Sequence, residues 1–371
     1  MSQTQKIRSG PPDPAKQAKQ NSSQYTGFLN IYKEAGFTSH DVVAKLRGML
    51  HQKKIGHTGT LDPDATGVLP IALGRATKAI PLLEDHTKAY DACLLLGVRT
   101  DTDDTSGQVI TEGQSGRSIA PSDLVMDMPE VLWGAGMIGD MEGLNRNFMG
   151  NGMTSQIQEA IKRVDLSGIT EEQIKEAILS WQGEHPQIPP MYSAKKKNGK
   201  KLYEFAREGI IIERESTVIQ IHEITLKEIC LPFVRFHVEC SKGTYIRSLC
   251  RDIGNQLKCG GCMSNLTRTR AGKFSLMDSH TLKEVEEAVH KNEVEQWIIP
   301  LVDAFSDLPK LFVTDESTKK AKNGNILSLT DLIYPDVANS DKFCVIVEKN
   351  KLLGIYEKRG KMLFPRKVFA E

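Results

Sequence analysis

The sequence predicts an α+β protein with a small β-rich unit at its C-terminal end, and three observations carry that reading. Helical and strand-like patterns are mixed along the chain without the regular strand–helix–strand alternation of a doubly wound sheet. The strand-like runs are short and look antiparallel. After the Pro300–Pro309 region, runs at 343–347, 352–356 and 362–364 are separated by Lys/Asn and Lys/Arg/Gly turns, a pattern of short paired strands. A chain of 371 residues leaves room for roughly two to three domains of ~150 residues.

Residues 1–24 are polar, carry Gly10-Pro11-Pro12-Asp13-Pro14, and read as a disordered tail. The first strand begins at Gly27-Phe28-Leu29-Asn30-Ile31-Tyr32. Val42, Val43, Leu46, Met49 and Leu50 then fall on one helix face, with Ser39 as the expected N-cap. From Gly56 to Gly74, glycine, threonine, aspartate and proline crowd together, which reads as loop. Tyr90 to Gly97 is a strand and Asp101 to Gly107 an acidic turn. The stretch 111–153 holds six of the twelve methionines, eight glycines, six acids and two bases. The whole of 111–168 is read as an insertion-like segment. Glu171 to Trp181 and Leu202 to Gly209 are helices, with Pro186 to Pro190 an extended connector. Strands are expected at 217–229 and 233–240. Ile246, Leu249, Cys250, Ile253 and Leu257 mark an amphipathic helix. The division is therefore a tail at 1–24, a main domain at 25–308 and a small domain at 309–371.

Composition narrows the function class. Lys+Arg is 48 against 47 Asp+Glu, so bulk charge gives no sign of a nucleic-acid partner and any basic face must be local. Apolar runs fall far short of the ~20 residues of a membrane span. The start Met1-Ser2-Gln3-Thr4-Gln5-Lys6 has no apolar signal core, and seven cysteines fit free thiols in a reducing, cytoplasmic setting.

The chemistry concentrates in Gly56-His57-Thr58-Gly59-Thr60-Leu61-Asp62-Pro63-Asp64-Ala65-Thr66-Gly67-Val68-Leu69-Pro70. Such a loop can hold one carboxylate at a fixed angle, with Pro63 stiffening the backbone and glycines allowing close approach of a bulky substrate. Four further strings accompany it. They are Thr38-Ser39-His40-Asp41-Val42-Val43 with Lys53-Lys54; Lys88-Ala89-Tyr90 with Leu96-Gly97-Val98-Arg99-Thr100-Asp101-Thr102-Asp103; Gln187-Ile188-Pro189-Pro190-Met191-Tyr192-Ser193-Ala194; and Ser241-Lys242-Gly243-Thr244-Tyr245-Ile246-Arg247.

In this order, over about 27–290 and interrupted by 111–168, the strings closely resemble the TruB family, the tRNA pseudouridine-55 synthases. The resemblance implies a pseudouridine-synthase catalytic domain on a mixed, largely antiparallel sheet, and a PUA-like C-terminal domain. It puts the family's catalytic aspartate on Asp62, acting directly on the ribosyl part of a flipped-out uridine, at C1′ or by taking the C2′ proton. Tyr90 falls where the family stacks an aromatic ring on the uracil, and Arg247 where an arginine pairs with the aspartate. Tyr245 and Leu266 match pocket positions, and His57 matches a histidine used against the RNA as the base flips. The implied partner is tRNA at its T-arm and elbow, with no membrane, no obligatory protein partner, no cofactor and no metal. Uracil itself is both leaving group and nucleophile, and an aspartate is ionised at neutral pH without help from a metal.

Local charge agrees with an RNA partner. Residues 240–273 carry seven Lys/Arg against one acid, Asp252. Lys195, Lys196, Lys197, Lys200 and Lys201 form a second cluster, and Lys358, Arg359, Lys361, Arg366 and Lys367 a third. Read as phosphate contacts, the first cluster gives Lys242 and Arg268 as substrate-binding residues. Three other patterns are weaker. Asp62-Pro63-Asp64-Ala65-Thr66 fits a phosphotransferase D-x-D-x-T, but no hydrophobic strand leads into it. The G-x-G-x-x-G string at Gly134–Gly139 precedes a glycine-rich stretch that makes a poor helix. Cys259-Gly260-Gly261-Cys262 lacks the second ligand pair that zinc requires.

Overall fold

The computed structural model describes residues 25–83, 86–110, 153–197, 199–334, 343–348 and 351–369. The expected 1–24 tail, most of the 111–168 segment and the Gly134–Gly139 string lie outside them.

In chain order come β1 (Gly27–Lys33), α1 (Ser39–Met49), β2 (Ile55–His57), β3 (Thr66–Leu73), helical turns over 74–83, and β4 (Lys88–Leu96). Next are α2 (Ser155–Ile161), α3 (Glu171–Leu179), β5 (Gly183–Gln187), β6 (Lys196–Lys197), β7 (Lys200–Lys201), α4 (Leu202–Arg207), β8 (Thr217–Cys230) and β9 (Phe233–Cys240). The body closes with α5 (Ile246–Gln256), β10 (Gly261–Ala271), β11 (Phe274–Ser275) and α6 (Leu282–His290). Then follow β12 (Lys310–Phe312), α7 (Asp315–Lys322), β13 (Leu327–Ser328), β14 (Phe343–Glu348), β15 (Lys351–Arg359) and β16 (Met362–Val368).

Among the described residues, nine strands form one sheet in the order β1–β3–β10–β4–β9–β8–β5, with β2 on β3 and β11 on β10. β10 runs parallel to β3 and antiparallel to β4, so the sheet is mixed and largely antiparallel, as expected. Alternate residues of β4 face two cores. Tyr90, Ala92, Leu94 and Leu96 meet α5 and α3 through Leu249, Ile253, Ile174 and Ile178. Cys93 and Leu95 meet Phe233, Cys262 and Ile157 on the other face. Each aliphatic side chain so buried contributes roughly 1.5–3 kcal/mol.

Three expectations need correction. The run from Gly56 to Gly74 is not all loop, because β3 and β2 occupy its ends. β3 is buried on both faces, so Val68-Leu69-Pro70-Ile71-Ala72-Leu73 shows no alternation for a pattern to catch. The N-cap of α1 is Thr38, not Ser39. The Thr38 hydroxyl accepts from the Asp41 N–H, and the Asp41 carboxylate accepts from the Thr38 N–H, a reciprocal cap. Finally, the tail of the 111–168 segment is no appendage. α2 lays Ile157 on the sheet, with Met153, Ile161 and Val164 beside it.

β12, β14, β15, β16 and β13 form a second, five-stranded sheet. It contains the three expected C-terminal strands, and β12, β13 and α7 were not foreseen. A shared core joins the two sheets: Phe28, Val68 and Ala72 of the first pack with Leu301, Phe305, Val347, Ile355 and Phe369.

Candidate active site

The loop 58–65 between β2 and β3 is clamped from three sides. Ser39, released from capping, accepts the Leu61 N–H at 3.0 Å and donates to the Leu61 carbonyl at 3.3 Å. Lys33, fully buried at the end of β1, donates through Nζ to the carbonyls of Pro63 (2.8 Å), Phe37 (2.7 Å) and Glu34 (3.0 Å). Burial pushes this ammonium down to about 8, against the pull of Asp64 and Asp62. The Gly36 N–H also donates to the Pro63 carbonyl. Leu61 and Ala65 are buried, so Asp62 is held between fixed neighbours.

Asp62 meets Arg247 in a two-pronged pair, Oδ2 to Nε at 3.0 Å and Oδ1 to Nη2 at 3.3 Å. The Arg247 side chain is 7 % exposed, whereas 40 % of the Asp62 side chain is open. The arginine is thus the buried anchor and the carboxylate the presented group. Its other donors reach the carbonyls of Thr102 (3.1 Å) and Tyr192 (2.8 Å), and Asp104 lies 3.5 Å away. Crowding by protein pushes the Asp62 carboxyl upward. Arg247 pulls it back, and Asp104 adds to the upward push.

Distant segments set this arginine. Gln187 donates to the Tyr245 carbonyl and accepts the Tyr245 N–H, fixing the residue before α5. The register of β10 shifts between Met263 and Asn265, which turns the Met263 backbone toward the 100–107 loop. There the Met263 N–H donates to the Asp103 carbonyl and the Thr105 N–H to the Met263 carbonyl. Asp103, at positive φ, pairs with Arg251 of α5 at 2.8 Å.

The remaining expected residues fall into three groups. Tyr90 and Leu266 are buried in the core beside Leu61. Burial pushes the Tyr90 phenol up to about 12, and the charge of Arg268 opposes this. His57 ends β2 with its ring edge-on to His40, centroids 5.4 Å apart. Burial pushes it down to about 4, so it is a neutral ring at physiological pH. Tyr245 precedes Arg247 and is half-buried, while Lys242 is exposed on the preceding turn.

Arg268 corrects the sequence reading. It is fully buried, and its guanidinium donates to the carbonyls of Val68, Gly59 and Thr60 rather than facing solvent. The basic stretch 240–273 as a whole is less free than its count implied. Arg247 and Arg251 pair with aspartates, Arg270 with Glu239 and Lys273 with Asp307. A charge count along the chain cannot see partners that come from elsewhere in the sequence. The lysine hairpin is likewise partly engaged, Lys195 with Thr217 and Lys200 with Glu208. Cys259 and Cys262 pack against different cores. Among the described residues no cluster of three or more His, Cys, Asp or Glu could hold a metal ion. Sequence reasoning missed Ser39, Lys33, Asp104 and Gln187 as supports. Asp104 lay one residue beyond a quoted motif and Gln187 opened another.

Comparison with known proteins follows the same geometry. Residues 47–128 and 148–246 match the TruB family pseudouridylate synthase N-terminal domain, and 247–306 match the tRNA pseudouridylate synthase B C-terminal domain. The tRNA pseudouridine synthase B of Clostridium kluyveri is 41 % identical over 330 residues, 89 % of this chain and 94 % of that protein. The Bacillus subtilis protein of the same name is 36 % identical over 354 residues, 93 % and 98 % of the two chains. Among solved structures, a Cbf5-Nop10-Gar1 complex aligns with TM-score 0.62 at 23 % identity, covering 95 % of this chain and 87 % of that one. An H/ACA RNP bound to a substrate RNA containing 2′-deoxyuridine aligns with TM-score 0.61 at 22 % identity, covering 97 % and 88 %. These two establish likeness of fold. Among the described residues no helix is long and apolar enough to cross a membrane.

Proposed function

The chain belongs to the TruB family of pseudouridylate synthases, and from that premise we propose that it isomerises uridine 55 in the T-loop of tRNA. The observation that carries the reading is the Asp62–Arg247 pair, a presented carboxylate on a buried guanidinium, with Tyr90 and Leu266 packed into the core behind it. Arg247 opposes the push of burial toward the neutral acid at Asp62. The ionised oxygen then acts on the ribose, by attack at C1′ or by removal of the C2′ proton. The N1–C1′ bond breaks with its electron pair going to N1, and the uracil turns; C5 then bonds to C1′ as the Asp62 ester is displaced or as Asp62 returns the C2′ proton, C5 loses its proton, and N1 takes one up. Tyr90 stacks on the extracted uracil, the C5 proton passes to water, and His57 takes up the space left in the RNA stack. Tyr245 and Leu266 line the pocket, and Lys242 contacts phosphate at its rim. The chemistry calls for no cofactor or metal. We read 25–308 as the catalytic unit and 309–371 as a PUA-like RNA-binding unit. The T-arm is the partner, no second protein is required, and the setting is cytoplasmic.

The test is tritium release from tRNA carrying [5-³H]uridine, with wild type and Asp62→Asn side by side. Release by wild type and none by the variant, with RNA binding kept, is the expected result. No release from either, with tight binding, would leave a protein that only holds the tRNA elbow.

A further inference from the structure

Among the described residues, the largest fully buried side chain is a cation outside the Asp62–Arg247 pair. Arg268 is fully buried in β10, the strand inserted between β3 and β4. Its Cα stands opposite Gly67 on one side and Tyr90 on the other. At Gly67 the strands close so tightly that a Cβ would fall 2.2 Å from the Arg268 carbonyl oxygen, and its φ of +101° suits glycine. The guanidinium reaches Val68 O at 2.7 Å, Gly59 O at 3.1 Å and Thr60 O at 3.4 Å. Tyr90 is its direct cross-strand neighbour on β4, so the two side chains stand on one face of the sheet, and the charge of the guanidinium acts on the phenol.

Among the described residues, then, its hydrogen-bond acceptors are three carbonyls and its cross-strand neighbour is a phenol, none of them a carboxylate. A buried cation without a counter-charge is costly, and a neutral side chain could fill a sheet interior at less cost. What only this planar, multi-donor group supplies is a link between two separate elements. Gly59 and Thr60 belong to the loop that presents Asp62 two residues later, and Tyr90 belongs to β4.

We infer that Arg268 is a positioning residue, one guanidinium that fixes the loop carrying Asp62 and the phenol of Tyr90 relative to each other. The inference rests on the reading that Asp62 and Tyr90 do the chemistry. The cross-strand pairing sets the phenol on the same face of the sheet as the guanidinium, so the group that holds the loop also packs beside the phenol. A lysine keeps the charge but is a point donor and cannot span three carbonyls while filling the place beside the phenol.

The experiment compares wild type, Arg268→Lys and Asp62→Asn on a T-arm hairpin. It reads the single-turnover rate, the hairpin Kd, and the ¹³Cζ resonance of Tyr90 in tyrosine-labelled protein. Expected for Arg268→Lys is a Kd within threefold of wild type, a rate lower by about 100-fold, and a shifted Tyr90 resonance. A folded Arg268→Lys with a rate within threefold of wild type, or with the Tyr90 resonance unmoved, overturns the inference. So does a lysine variant that cannot fold, if in ¹⁵N-arginine-labelled protein Tyr90→Phe leaves every buried guanidinium resonance unchanged. Should that variant fail to fold while Tyr90→Phe shifts a buried guanidinium resonance, the contact stands. Asp62→Asn separates the two layers. Activity surviving in it removes the catalytic reading, whereas an inactive Asp62→Asn beside an unaffected Arg268→Lys removes only the role of Arg268.

Discussion

Asp62 and Asp331 each sit at a turn beside a basic side chain, yet the protein treats their charges in opposite ways. Asp331 accepts from Ser317 Oγ (2.5 Å) and Lys320 Nζ (2.9 Å) on one oxygen, and from the Ser328 N–H (2.7 Å) and Oγ (2.9 Å) on the other. Burial pushes its carboxyl up, but these donors win and hold it well below the usual carboxylate range. Among the described residues Asp62 accepts from one side chain, Arg247, and burial leaves its carboxyl raised. A carboxylate whose lone pairs are filled by its own chain is structural. One whose charge the fold does not fully stabilise keeps lone pairs for a substrate.

The sharpest way to break this contrast is to neutralise each. Asp62→Asn is expected to lower pseudouridine formation by about 10⁴-fold or more while the melting temperature stays within roughly 2 °C. A large loss of stability would mean that Asp62 is structural after all. Arg247→Lys comes next, with a rate loss of about 10²–10³-fold. In the proposed mechanism the ionised Asp62 acts, and Arg247 is what pulls its pKa down. The acid limb of the pH–rate profile therefore moves to higher pH in the lysine variant, and an unmoved limb would show that Arg247 acts otherwise.

Asp331→Asn reverses the pattern, with turnover unchanged and about 2 kcal/mol of stability lost, read by urea unfolding at pH 7. Since its folded pKa is depressed, the contribution of Asp331 is fully present above about pH 4 and fades as pH falls toward that lower value. The gap between wild type and variant should narrow at pH 3, and a constant gap would refute the charge argument. The smallest effect concerns the lysine hairpin. Exposed Lys196→Gln should weaken RNA binding only a few-fold and reduce the salt slope by about one. Lys200→Gln, whose partner is Glu208, should change that slope less.

The legible parts share a cause. The motifs around Asp62, Tyr90 and Arg247 are contiguous strings, and α5 and β9 show clean periodicity. The N-cap, β3 and Arg268 were misread where one residue's role is set by another far away. Ser39 looks like a cap until Leu61 arrives to take its hydroxyl. Val68 to Leu73 looks patternless until both faces are covered.

The sequence by itself determined the order of the catalytic strings, the helices with one apolar face, and the turn chemistry of the 58–65 loop, because propensity and periodicity act over a few residues. Only the tertiary structure decided which charges meet. Arg247 and Asp62 are 185 residues apart, and Arg268 lies 200 from the Val68 carbonyl it holds. Whether a cation faces phosphate, a carboxylate or a buried carbonyl depends on the strand inserted beside it. Here that strand is β10, which closes between β3 and β4 and buries one arginine of a stretch that looked uniformly basic.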